Sequence, residues 1–493
     1  MADSLSLAQA RALWWQKQAL GSSDSDELGA RIARSGWLRT LGGADVYLAA
    51  RARKPGMHRR ELDEVVERGE LRVIPAARGC IYLVPPAVVS DLMALNADAW
   101  RKQTEKDLAK AGSTIAVVEE VAANVLAALT GPMTTDAIRK AMPADTIPSF
   151  GESGKKAGLS SPLPLALRWL ELEGRIERTL DHGKLDTDRY LWRRAAWEVP
   201  PAAANPVDQL ANVIGAFLDF AGPATLGHLA SWSGRAQRDL RPALDKLGAK
   251  PVSVDGVGES WIRPGEIGAA MRAFEPRGVV LLAFEDNYLV NHGGLAAVTD
   301  PKHHAIEIDI WGSGKPEAIG KANHVLSRTI VIDGLVEGFW EVDPKTEGAV
   351  WHTFEPANAQ LASRLDDLTA DAAKFLFGEI GHARTFSLDS MDEVQARADR
   401  IARMRAGKPP LPIEPKAKPM RPIKVKPAEA PAPKAVVAPP PPKPVAKPVA
   451  KPAAKPAAKQ PPAKKPAAKK PAAKKPAAKK PAAKKSKPAK KKR

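Results

Sequence analysis

The stretch GPATLGHLASWSGRAQRDLRPALDKLGAKPVSVDGVGESWIRP, residues 222–264, decides the fold class. Gly222-Pro223 precedes a first helix, and Trp232 stands before the turn residues Ser233-Gly234. RAQRDLRPALDKL repeats its apolar residues at helical spacing, and Asp255-Gly256 separates two short strand-like runs as a hairpin turn does. Helix, turn, helix and a two-stranded ribbon make a winged helix, a variant of the helix-turn-helix.

The same order can be read twice upstream. LSLAQARALWWQKQAL is an amphipathic helix stopped by Gly21-Ser22-Ser23, and DSDELGARIARSGWLRTL, ADVYLAARAR and MHRRELDEVVERGEL read as further helices. LRVIPAARGCIYLVPP then has strand character with a turn at Arg78-Gly79. MTTDAIRKAM and SPLPLALRWLELEGRIERTLDHGKLDTDRYLWRR give helices leading into a second hairpin. After residue 277 the pattern turns to β in RGVVLLAFEDNYLV, HAIEIDIWG and RTIVIDGLVEGFWEVDP, with a hairpin signal at Asp333-Gly334. The expectation is an α+β chain: winged helices at 1–100, 101–200 and 201–270, a small β-barrel at 271–345, C-terminal helices at 346–406, and a disordered tail at 407–493.

Charge separates the tail from the body. Of 75 Lys and Arg, 27 lie from Gly407 onward with only two of the 56 acidic residues, so the tail is near +25 and residues 1–406 near −6. The tail repeats KKPAA, with prolines at 466, 471, 476 and 481 and lysine pairs Lys464-Lys465, Lys469-Lys470, Lys474-Lys475, Lys479-Lys480 and Lys484-Lys485. Such regular prolines block a continuous helix, like charges repel, and no apolar stripe exists to fold around. The partner this predicts is duplex DNA, held through its phosphates without reading sequence. With no aromatics among the lysines, the tail has nothing to stack on bases. It resembles the Lys/Pro/Ala-rich tails of linker-histone-like bacterial proteins.

Other chemistries are excluded by what they require. The single cysteine, Cys80, allows neither an intramolecular disulfide nor a zinc site of several thiolates. His303-His304 has no suitably spaced ligands beside it, GSGKP at 312–316 lacks the context of a phosphate loop, and no nucleophile elbow is present, so no metal and no cofactor are expected. The N-terminus lacks a secretory pattern and the longest apolar run, near VVLLAF, is too short to span a bilayer. The expected setting is cytoplasmic and nucleoid-associated, away from membranes.

Several segments together resemble the winged-helix DNA glycosylases of the AlkZ and YcaQ type. They are RARKPGMHRRELDEVVERGELRVIPAARGCIYLVPP, GPATLGHLASWSG, LLAFEDNYLV and TIVIDGLVEGFW. The resemblance implies three winged helices, a β-barrel and a catalytic Gln–apolar–Gln or Gln–apolar–Asp motif. Registered on LAARAR, that motif falls on Arg39-Thr40-Leu41. Arginine offers only donors and a fixed positive charge, which opposes an oxocarbenium-like transition state, and leucine offers neither donor nor acceptor. Asp45 is the nearest replacement carboxylate, whereas Gln16-Lys17-Gln18 sits in the first helix and is a decoy.

The implied function is a DNA-binding protein without glycosylase activity, whose polybasic tail supplies sequence-independent affinity. The alternative is a glycosylase that excises alkylated or crosslinked bases with Asp45 as its catalytic group. Arg59, Arg60, Arg235, Arg238 and Arg241, on candidate reading helices, are the DNA-binding residues of the body.

Overall fold

Residues 35–53 do not run as one helix in the computed structural model, which describes residues 3–21, 26–180, 184–187, 189–310 and 315–408. A helix stops at Ser35, Leu38–Arg39 is a strand, and a new helix starts at Asp45. Gly36 and Gly42 have φ of 103° and 75°, outside any right-handed helix and open to glycine at no steric cost. Leu38 and Arg39 leave the helix pattern because they pair with Leu83 and Tyr82.

The chain opens with β1 (Asp3–Leu5), α1 (Leu7–Lys17), α2 (Leu28–Ser35), β2 (Leu38–Arg39), α3 (Asp45–Arg53), α4 (Arg59–Glu67), β3 (Arg72–Pro75) and β4 (Ile81–Val84). Next come α5 (Val89–Lys110), α6 (Ile115–Ala128), α7 (Thr135–Ala141), α8 (Gly151–Lys156), α9 (Leu163–Leu172), β5 (Ile176–Leu180) and β6 (Tyr190–Arg194). A third run holds α10 (Pro206–Ala221), α11 (Leu226–Ser233), α12 (Gln237–Leu247), β7 (Lys250–Val254), β8 (Gly258–Ile262) and α13 (Ile267–Met271). The remainder is β9 (Val279–Leu282), α14 (Asn287–Val290), β10 (Glu307–Asp309), β11 (Pro316–Ala318), β12 (Arg328–Ile332), β13 (Leu335–Asp343), β14 (Gly348–Thr353), α15 (Ala359–Phe375) and α16 (Met391–Arg405). Each of the first three runs therefore contains helices followed by a hairpin, the third adding α13.

Local chemistry fixes the third run. Thr225 caps α11 by accepting the His228 N–H, and Gly234, in the left-handed region, ends the helix. Leu240, Ala243 and Leu244 of α12 and Leu226, Leu229 and Trp232 of α11 turn inward together. The hairpin β7–β8 gains a strand that sequence patterning did not reveal, since β1 pairs parallel to β7.

The expected barrel is corrected to an open sheet of order β14-β13-β12-β9. Among the described residues β9 and β14 are its two edges, and β14 lies beyond the boundary drawn at 345. The strand reading of LLAFEDNYLV also fails past Leu282, because the Asp286 side chain accepts the Tyr288 N–H and caps the short helix α14.

Distant parts of the sequence share interiors. One core joins Ile32, Tyr47, Leu48 and Leu62 from the first helices to Trp340, Val342, Trp351, Leu365 and Phe375. A second gathers Trp37, Phe217, Phe220 and Trp232, with ring centroids 4.6–6.0 Å apart. A third packs Trp14 and Trp15 against Tyr288, Leu289 and Phe339, while residues 108–192 enclose a core of their own.

The adjacent glycines Gly42-Gly43 are the seat of a later loop. The Ala44 N–H donates to the Arg384 carbonyl at 2.8 Å, and the Ser387 N–H donates to the Leu41 carbonyl at 2.8 Å. A Cβ on Gly43 would lie 2.4 Å from the Thr385 carbonyl carbon and 2.5 Å from the Arg384 oxygen, and backbone atoms cannot rotate aside. Gly43→Ala is expected to cost about 1–3 kcal/mol, read as a lowered urea midpoint.

Beside this seat the Tyr47 hydroxyl donates to Asp63 at 2.6 Å and accepts the Leu185 N–H at 2.7 Å. Burial pushes the Asp63 carboxyl up to about 6, against the pull of the Tyr47 hydroxyl and Arg59. The folded value lies above the usual 3.8, so this group's contribution is full below that pH and lost as pH rises through about 6. Asp63→Asn is expected to flatten the decline in stability across that interval, measured by thermal melts at stepped pH.

Candidate functional site

Pairing of β2 with β4 sets Arg39 opposite Tyr82, and the Asn287 side chain ties α14 to the same place by donating to the Trp37 carbonyl at 2.9 Å. Between these elements and α11 opens a cleft of about 340 Å³. Its walls include Arg39, Arg78, Tyr82, His228, Trp232, Glu285, Asn291, Asn323 and His324.

Glu285 is the acidic group of this cleft, and the sequence reading passed over it. Its Oε2 lies 3.5 Å from Arg39 Nη1 and 2.8 Å from His324 Nδ1. The bond from Glu285 raises the pKa of His324, favouring the imidazolium. Glu285 Oε1, Arg39 Nε and Asn291 Nδ2 are buried and have no partner among the described residues. Glu285 also has φ of 54°, and a non-glycine residue there stores about 1–3 kcal/mol of backbone strain, a frequent mark of a functional site. The signal in the sequence was an acidic pair directly after the apolar run VVLLAF.

The histidine on the other wall, His228, is neutral. Burial pushes His228 down to about 4, and its Nδ1 accepts the Thr225 N–H at 3.4 Å, which leaves the proton on Nε2. Fully buried His292 is likewise held well below the usual value by burial, its ring stacked on Trp14 with centroids 4.0 Å apart. Gly293 makes room, since a Cβ there would stand 2.6 Å from His228 Nε2. The cleft therefore presents the guanidinium groups of Arg39 and Arg78, the Glu285 carboxyl and the His324 imidazole bonded to it, beside amide donors and the neutral His228 ring.

The residues singled out in the sequence fall in different places. Arg39 faces the cleft, while half-buried Leu41 beside it contributes its carbonyl to the 384–387 loop. Asp45 lies outside the cleft, 4 % exposed, lining only a crevice of about 20 Å³. Its oxygens take the Arg328 guanidinium, with Nε at 3.1 and 3.2 Å, and the Phe284 N–H at 2.6 Å. Gln18 is buried, accepting from Arg53 and donating to the Phe220 carbonyl, Lys17 donates to Glu266, and Gln16 is exposed, all of them outside the cleft.

Arg59 lies 3.4 Å from Asp63, Arg60 2.7 Å from Glu64, and Arg235 donates to the Leu95 carbonyl at 2.7 Å. Arg238, near Asp239, and Arg241, over the Trp261 ring, are exposed on α12. The lysine pairs from Lys464 to Lys485 lie outside the described residues. Among the described residues no group of three or more His, Cys, Asp or Glu could hold a metal ion, and no single helix is long and apolar enough to cross a membrane.

The profile of the DNA glycosylase AlkZ-like family matches residues 26–376, and this chain belongs to that family. The solved structure of the Streptomyces sahachiroi DNA glycosylase AlkZ is similar to it, with a TM-score of 0.58 at 19% identity, covering 77% of this chain and 98% of that one. No functionally curated protein sequence matches the chain.

Proposed function

We propose that this protein binds duplex DNA through its AlkZ-like body and polybasic tail and does not use the glycosylase motif of its family. The observation that carries the reading is the Arg39–Glu285 ion pair at the position where the resemblance places the first motif glutamine. A guanidinium fixed there holds positive charge where excision would develop a sugar cation, and Glu285 Oε2 is already shared with Arg39 and His324. We read the three helix–hairpin runs as winged helices, with Arg238 and Arg241 of α12 turned toward phosphate. The tail supplies the bulk of the affinity and places the protein on the nucleoid.

The test is incubation of excess protein with duplexes carrying N7-alkylated or crosslinked bases, followed by cleavage at abasic sites. Retention of duplex without abasic product is the expected result; base release at a rate above the protein-free control overturns it. One observation favours the glycosylase alternative, the unpartnered Oε1 of Glu285, whose other oxygen is bonded to His324. Should release occur, Glu285→Gln is expected to abolish it. Asp45→Asn then acts only through lowered stability, because the Asp45 oxygens are occupied by Arg328 and Phe284.

A further inference from the structure

Leu388 is 84% exposed, the largest exposure among the large apolar side chains of the described residues. The loop that carries it is tightly held. Besides its two hydrogen bonds to Leu41 and Ala44, the Thr385 N–H and hydroxyl both donate to Asp389 Oδ2 at 2.8 Å. Asp389 is gripped in turn by Arg397 at 2.8 and 3.1 Å, and Phe386 packs on Phe284 with centroids 5.8 Å apart. A loose loop would fold its leucine back onto apolar surface; this one holds it in water, at a cost in hydrophobic free energy that folding leaves unrecovered.

The position of the loop suggests what recovers it. Thr385 shares a crevice with Leu41 and Arg39, Arg39 also lines the cleft, and the Ser387 N–H bonds to the Leu41 carbonyl, so the loop that carries Leu388 is seated on the segment that borders the cleft. Arg384, four residues before Leu388 on the same loop, is half-buried, and its guanidinium has no partner among the described residues. The loop also follows residue 376, where the match to the family profile ends.

We propose that Leu388 is a wedge that enters the base stack of bound DNA while Arg384 meets the adjoining phosphate. This rests on the DNA-binding reading. Apolar side chains inserted between base pairs unstack the step and kink the duplex, and a rigid mount is what lets such a residue push rather than bend. The wedge positions DNA against the cleft and takes no part in bond breaking.

The test uses the full-length protein and a duplex of repeated TA steps, the most readily unstacked, with 2-aminopurine in place of adenine. Fluorescence anisotropy of an end label reports binding, and 2-aminopurine emission reports unstacking. Saturating wild-type protein is expected to raise emission several-fold. Leu388→Ala, an exposed change that leaves the fold intact, is expected to bind with little change in anisotropy yet lose the rise, and Leu388→Phe to restore it. An unchanged rise with Leu388→Ala, or none with saturating wild type, overturns the wedge alone. Absence of any anisotropy change overturns the DNA-binding reading and the wedge with it.

Discussion

Arg328→Met is expected to cost about 3–5 kcal/mol of folding stability, the usual result of removing one partner from a buried ion pair. Arg328, on β12, is fully buried and ties that strand to three other segments at once. It pairs with Asp45 at the start of α3 and Glu341 on β13, and donates to the Ala383 carbonyl at 2.9 Å. Glu341 passes the chain on to Arg397 of α16 at 2.8 Å, which grips Asp389. Without the guanidinium, Asp45 keeps only the Phe284 N–H and Glu341 must share Arg397, so two carboxylates in a dry interior are short of charge. Asp45→Asn retains an oxygen for both donors and is expected to cost less. Urea midpoints in the order wild type, Asp45→Asn, Arg328→Met check this. A loss below about 1 kcal/mol for Arg328→Met would show that the network is replaceable.

Ending the chain at Lys408 is expected to remove most of the salt dependence of DNA binding. Engagement of only about 6–10 phosphates lowers affinity by roughly 10³–10⁵ between 50 and 200 mM salt. The removed segment holds 26 basic residues against two acidic ones, whereas the body is near −6. What remains is the contribution of α12, where Arg238→Ala or Arg241→Ala is expected to lower the slope of log K against log salt by about 1. Titrations at four salt concentrations measure it. A shortened chain that keeps the full-length slope would place the affinity in the body.

The legible parts of this sequence were those where one local rule acted alone. α11 and α12, with the Thr225 cap and the Gly234 stop, needed nothing from elsewhere, and neither did the Asp333-Gly334 hairpin. β2 was lost because its two residues are strand only by pairing with β4, more than 40 positions away. The barrel was overdrawn because alternation shows that strands exist but not whether their edges meet. At the site, Arg39 was found through the motif register and Asp45 was chosen as the nearest carboxylate along the chain. Proximity in sequence misled: the acid that reaches Arg39 is Glu285, 246 residues on, while Asp45 turns to Arg328, 283 residues on.

The seat of the 384–387 loop on the glycine pair also bears on how this molecule is made. Some 340 residues separate Ala44 from Arg384. At roughly 5–20 residues per second, a ribosome needs about 20–70 s to supply that distance. Through most of that interval α3 lacks its Arg328 counterion and to its end it lacks the loop, and the tryptophans of the first helices wait for the strands that later cover them. Residues from Leu108 to Trp192 supply a core among themselves before α16 and the 384–387 loop reach the N-terminal helices.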